Sequence, residues 1–149
     1  MRLLKFILLM SVFTACTPQA PITPSDAFYD LKKSFKSNDF DKTISLLSDG
    51  SISKIKKTSA IFSSMDETSL NSAAAAYGIN PDRLKKLSVK DYLAVYSRLE
   101  KQNVLLSAFD SSIIGINKNG SEAVISLDNG MKLRFIKTGP YWKFDMTEF

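Results

Sequence analysis

One thiol, no imidazole and fifteen carboxylates make up the reactive inventory of this 149-residue chain. The absence of His removes Ser-His and Cys-His nucleophile pairs and the commonest general base. Zinc loses its usual ligand set too, since Cys16 stands alone and no imidazole can join it. The carboxylates are scattered. Asp66 and Glu67 are neighbours, so they point to different faces of any helix and read as first-turn residues that complement its dipole. No residue is assigned a catalytic or metal-binding role, and no cofactor is expected.

The elements that position Cys16 come next. Arg2 and Lys5 form a positive start, Leu3 to Val12 an apolar core, and Thr14-Ala15 a pair of small residues, the three parts of a secretory signal over residues 1–15. The apolar run is too short for a span, which needs ~20 residues. Residues 16–25 carry Pro18, Pro21 and Pro24 and read as an extended tether. The folded domain is expected over residues 26–149.

Phe13-Thr14-Ala15-Cys16 resembles the lipobox of bacterial lipoproteins, with Phe13 where that family prefers Leu, Val or Ile. The resemblance implies that Cys16 is acylated and becomes the first residue after cleavage. The competing reading, a secreted chain with a free thiol, leaves an exposed reactive group with no second Cys to pair with. Each buried acyl CH2 contributes about 0.8 kcal/mol, so two or more chains hold the protein to the membrane. Thr17 follows the Cys where Asp would signal inner-membrane retention. The resemblance therefore points to the periplasmic side of the outer membrane.

Charge is mild. Loss of Arg2 and Lys5 leaves 18 basic residues against 15 acidic ones, a net +3. Lysines cluster at Lys32, Lys33 and Lys36 and again at Lys54, Lys56 and Lys57, the pattern of solvated helix faces, and no nucleic-acid partner is expected.

Along the chain, Thr23-Pro24-Ser25-Asp26 is a helix start, with Thr23 as cap and Asp26 three residues on. The spacing of Phe28, Leu31 and Phe35 predicts a helix to about residue 37. Phe40, Ile44 and Leu47 mark a second, short one that Asp49-Gly50 is expected to stop. Further helices are expected over residues 51–64, from Asp66 to Tyr77 with Gly78 as terminator, from Asn80 to Lys86, and over 89–103 behind a Ser88 cap. From Leu105 the period changes from three-four to two. Turns at Asn119-Gly120, Asp128-Asn129-Gly130 and Gly139-Pro140 separate strands at 111–117, 121–127, 131–137 and 141–146, with Leu105 to Phe109 as a further candidate strand. Trp142, Phe144 and Met146 share one face, so Trp142 is expected in the core. The expected class is α+β, with N-terminal helices packed on a C-terminal curved antiparallel sheet of about four strands.

Ser25-Asp26-Ala27-Phe28-Tyr29-Asp30-Leu31, the Asn38-Asp39-Phe40-Asp41 step into the second helix, and Tyr141-Trp142-Lys143-Phe144 in the last strand together resemble small lipoproteins of the nuclear-transport-factor-2-like superfamily. Helical repeat hairpins share the opening but not the closing sheet. The resemblance implies a cone-shaped domain able to hold a small apolar ligand, lined by Tyr92, Tyr96, Phe109, Phe135 and Tyr141. Ordinary core packing is the competing role for these aromatics. Two functions follow as expectations: a non-catalytic, membrane-anchored binding or scaffold domain with an envelope protein or small apolar ligand as partner, or a cone enzyme acting on a small apolar substrate.

Overall fold

A computed structural model describes residues 21–99 and 104–148. The signal, Cys16 and residues 100–103 lie outside them. Helix α1 (Pro24–Lys36) starts as the sequence requires: Thr23 Oγ1 accepts from the Asp26 amide at 3.1 Å, and the Thr23 amide donates to the Asp26 carboxylate at 3.2 Å. Such a reciprocal cap satisfies two otherwise orphaned donors. Because α1 begins at Pro24, the last two residues expected in the tether belong to the first helical turn. Helix α2 (Phe40–Ser45) follows an Asp39 cap.

Asp49-Gly50 does not stop this region. It opens α3 (Asp49–Ser63), capped by Ser48. The reason for Gly50 is a close approach: a Cβ there would meet Thr147 Cγ2 at 3.1 Å and Asp145 Oδ1 at 3.4 Å. Helix α4 (Glu67–Tyr77) begins on an Asp66 cap and ends at Gly78, whose φ of +63° is the left-handed conformation a helix terminator adopts. Helix α5 (Pro81–Lys85) is a single turn and a half behind Asn80. Helix α6 (Val89–Tyr96) is shorter than its expected reach to residue 103, for Ser97 bonds back to the Ala94 carbonyl and Arg98 and Leu99 tighten into i to i−3 bonds.

The strand expected over Leu105 to Phe109 is a helix, α7 (Val104–Asp110). Leu105 and Phe109 fit a period of two as well as an i, i+4 pair. The fully buried Ala108, three after Leu105, belongs to the helical spacing.

The sheet is an antiparallel meander in sequence order, β1 (Ile113–Asn119), β2 (Glu122–Leu127), β3 (Lys132–Thr138) and β4 (Tyr141–Asp145). It is curved and open, and with the helices before it the class is α+β. Ala123, Ile125 and Leu127 alternate inward with Leu133, Phe135, Trp142 and Phe144 against the helices. Ala123 faces Phe135, and Phe135 faces Phe144, whose rings lie 5.5 Å apart. Phe28, Phe35 and Phe109 fill the space above them, so the helix–sheet interface is solid core. A second apolar cluster joins α3, α4 and α5 through Phe62, Leu70, Ala74 and Leu84, with Leu87 beside them.

The outer edge of β4 is closed. The Trp142 amide donates to the Pro21 carbonyl, the Phe144 amide to the Leu46 carbonyl and the Met146 amide to Ser51 Oγ. Exposed edges invite pairing with other chains, and here the entering chain at Pro21, the end of α2 and the first turn of α3 cover one.

Candidate functional site

Helix α6 supplies the centre of the site. Tyr92 and Tyr96 are four residues apart, so they lie one turn above the other on one face. Their rings stack at 6.1 Å with an interplanar angle of 12°. They form one wall of a cavity of about 130 Å3 whose other walls are Thr58 and Phe62 of α3, Tyr77 of α4, Leu84 of α5, Leu87, and Val95 and Leu99 on the α6 side. Phe62 and Tyr77 meet edge to face at 5.7 Å, which fixes the far wall.

The lining is apolar apart from three phenols and the Thr58 hydroxyl, and the hydroxyl is already bonded to the Lys54 carbonyl at 3.1 Å. Burial pushes the Tyr92 phenol above its ordinary range, with Tyr96 and Tyr77 adding to the effect. Burial raises Tyr96 as well, against the opposing pull of the Val104 and Leu105 amides. Both phenols are therefore neutral at pH 7, and Tyr92 makes no hydrogen bond to the described residues that would occupy its hydroxyl. Tyr92 thus lines the cavity with a phenol that is not engaged by the described residues.

The five aromatics expected to line a pocket do not converge. Tyr92 and Tyr96 reach the cavity. Phe109 and Phe135 are buried in the core between helices and sheet, and Tyr141 stands 41% exposed on β4. Phe35 bridges the two regions, with its ring 6.5 Å from Tyr96 and 5.6 Å from Phe109. Trp142 is in the core at 5% exposure. Sequence reasoning missed Phe62, Tyr77, Leu84 and Leu87. Phe62, Tyr77 and Leu84 were visible as apolar positions on helices and Leu87 as one between two helices, but which faces meet is decided by tertiary packing.

A second polar cluster draws attention because it holds a buried carboxylate beside two serines. Ser48 Oγ donates to Asp145 Oδ1 at 2.7 Å, Thr147 Oγ1 to Asp145 Oδ2 at 2.8 Å, and Arg134 approaches Asp145 Oδ2 at 3.4 Å. Ser51 Oγ accepts from the Met146 amide and donates toward the Phe144 carbonyl. Every polar atom in it has a partner within the fold, and the one carboxylate beside the serines is itself held by Thr147 and Arg134. The cluster ties the N-terminus of α3 to the end of β4. Asp145 thus shares the outer face with Tyr141 and Lys143 as alternation requires, yet is only 4% exposed.

Among the described residues no group of three or more metal-ligating side chains comes together, and no helix is long and apolar enough to cross a membrane. Comparison with protein-family models, curated proteins and solved structures finds no match for this chain.

Proposed function

We propose that this protein is a lipid-anchored envelope protein, attached through Cys16, whose folded part is a non-catalytic binding domain for a small apolar ligand. The observation that carries the binding role is the cavity between α3, α4, α5 and α6. It is small, half-enclosed and apolar, with an unengaged phenol at Tyr92. Cavities of ~150 Å3 lined by aliphatic and aromatic side chains accept single-ring molecules. A ligand of about that size, with one hydroxyl or carbonyl to meet Tyr92, suits this one.

The anchor rests on the small residues before Cys16, and the outer membrane on Thr17 after it. The kinship with nuclear-transport-factor-2-like lipoproteins draws support from the order of helices and sheet. Its cone is replaced here, as the ligand site, by a cavity within the helical layer, because the helix–sheet interface is filled. The enzyme reading needs a carboxylate or other titratable catalyst at the site. Among the described residues the lining offers only phenols and one hydroxyl, which favours binding over turnover.

Toluene and p-cresol, titrated into the protein and followed by proton NMR, test the reading. Both are expected to shift the Tyr92 and Tyr96 ring resonances saturably, with p-cresol the tighter. A Val95→Trp variant, with the cavity filled, is expected to lose both. Absence of saturable shifts in the parent refutes the ligand site.

A further inference from the structure

The two edges of the sheet differ. The outer edge of β4 is covered, whereas among the described residues no hydrogen bond other than those to β2 reaches β1. Six of the seven residues of β1 are exposed. Two of them are isoleucines, Ile116 at 39% and Ile114 at 69%, and Ile114 is the residue that a bulge leaves without a partner on β2. Ile116 sits opposite the fully buried Ile125, so it belongs to the face that the helices cover. Helix α1 packs on β2 and β4 and α3 on β4. The exposure of Ile116 shows that the apolar face of the sheet continues past its helical cover at β1.

Alternation fixes where the backbone groups of β1 point. The Leu127 amide donates to the Met131 carbonyl and the Lys137 amide to the Ser121 carbonyl, so the odd-numbered residues of β2 turn toward β3 and the even-numbered ones toward β1. Gly115, Asn117 and Asn119 lie opposite Ser126, Val124 and Glu122 and direct their N–H and C=O groups to β2. Ile116 and Lys118 present theirs to the open edge. Such an edge invites pairing with another strand.

We propose that β1 pairs with β1 of a second copy, antiparallel about a two-fold axis at Ile116, so that two four-stranded sheets join into one of eight. A two-fold axis brings identical surfaces together, so the strand must be self-complementary. With the axis at Ile116, the Ile116 N–H and C=O of each copy exchange bonds with those of the other, and the two side chains meet on the uncovered apolar face. All seven residues overlap, and Lys118 lies opposite Ile114. The two lysines then stand four positions apart, about 14 Å, beyond the ~8 Å screening length at physiological salt. An axis at Asn117 would bring them to diagonal positions, and one at Lys118 would set like charges face to face, which is destabilising. Lys118 is the sole charged residue of β1, so the strand carries little to select a charged strand from another protein, while its symmetry about Ile116 fits its own copy. A single edge pair buries less than the ~1,200–2,000 Å2 of a standard interface, which puts this dimer in the weak, concentration-dependent class.

The full chain, purified from cells in mild detergent, tests the pairing by analytical ultracentrifugation with the detergent mass subtracted. Across a dilution series the parent is expected to rise from the mass of one chain toward that of two. Ile116→Lys, with an unchanged circular dichroism spectrum, is expected to stay at one. Single cysteines read the register, with the parent setting the background from Cys16. Ile116→Cys places two thiols on residues about 5.5 Å apart across the axis and is expected to form an intermolecular disulfide under mild oxidation. Asn119→Cys places them six positions apart, about 20 Å, and is expected to do so roughly tenfold more slowly. A parent that keeps the mass of one chain throughout, a dimer that Ile116→Lys leaves intact, or disulfide formation at 119 as fast as at 116 overturns the proposal. So does a parent of one-chain mass whose Ile116→Cys variant cross-links to a different protein, which would assign the edge to that partner.

Discussion

Replacing Asp145 should show how the C-terminal strand is held. The carboxylate is 4% exposed and receives Ser48 Oγ at 2.7 Å and Thr147 Oγ1 at 2.8 Å, with Arg134 at 3.4 Å. Hydrogen bonds to a charged group contribute about 1.5–3 kcal/mol each, and removing one partner of a buried pair costs about 3–5 kcal/mol. Ser48 and Ser51 keep each other and the nearby backbone when the carboxylate goes, so the lower end applies, about 3 kcal/mol for Asp145→Ala. Asp145→Asn retains one acceptor and the volume, and should cost about 1–2 kcal/mol. Urea unfolding at constant m reads these differences directly. Ser48→Ala removes both the α3 cap and the carboxylate's donor, so the double variant with Asp145→Ala should be less destabilised than the sum of the singles. A loss under 0.5 kcal/mol for Asp145→Ala, or strict additivity with Ser48→Ala, would show that the cluster does not bind α3 to β4.

Trp142→Ala should lower stability by about 3–5 kcal/mol, read by thermal unfolding, and the parent's emission maximum should be blue-shifted. At Gly78, with φ at +63°, Val should cost about 1–2 kcal/mol from backbone strain alone, since a Cβ there meets nothing within 4 Å. Burial raises the phenols of Tyr92 and Tyr96, so the folded state favours their neutral forms. That contribution is complete below the unfolded value near 10 and disappears as pH rises through the higher folded values. Stability should therefore fall above pH ~10, and Tyr92→Phe should flatten the fall; a parent whose phenols titrate as free tyrosine by absorbance contradicts the burial.

Local rules account for much of this fold. Thr23 and Asp26 carry their reciprocal cap in the sequence, Gly78 its terminator, and alternation along β2, β3 and β4 sorts Ala123, Ile125, Phe135, Trp142 and Phe144 inward. Where short signals serve two structures, reading by pattern fails. Asp49-Gly50 suits a helix end as well as a first turn, and its role is decided by Asp145 and Thr147 packing against Gly50 nearly a hundred residues later. Leu105 and Phe109 suit either period. The Tyr92–Tyr96 pair could be read from its spacing. The wall opposite it could not, because nothing local dictates that Phe62, Tyr77 and Leu84 from three helices converge.

Native and denaturing mass spectrometry of the protein extracted from membranes in mild detergent tests the central claim most directly. The account predicts a denatured mass of residues 16–149 plus acyl groups on Cys16, and a native mass larger again by one small molecule that Val95→Trp does not carry. An uncleaved chain with an unmodified Cys16, or a native mass equal to the denatured one in parent and variant alike, would contradict it.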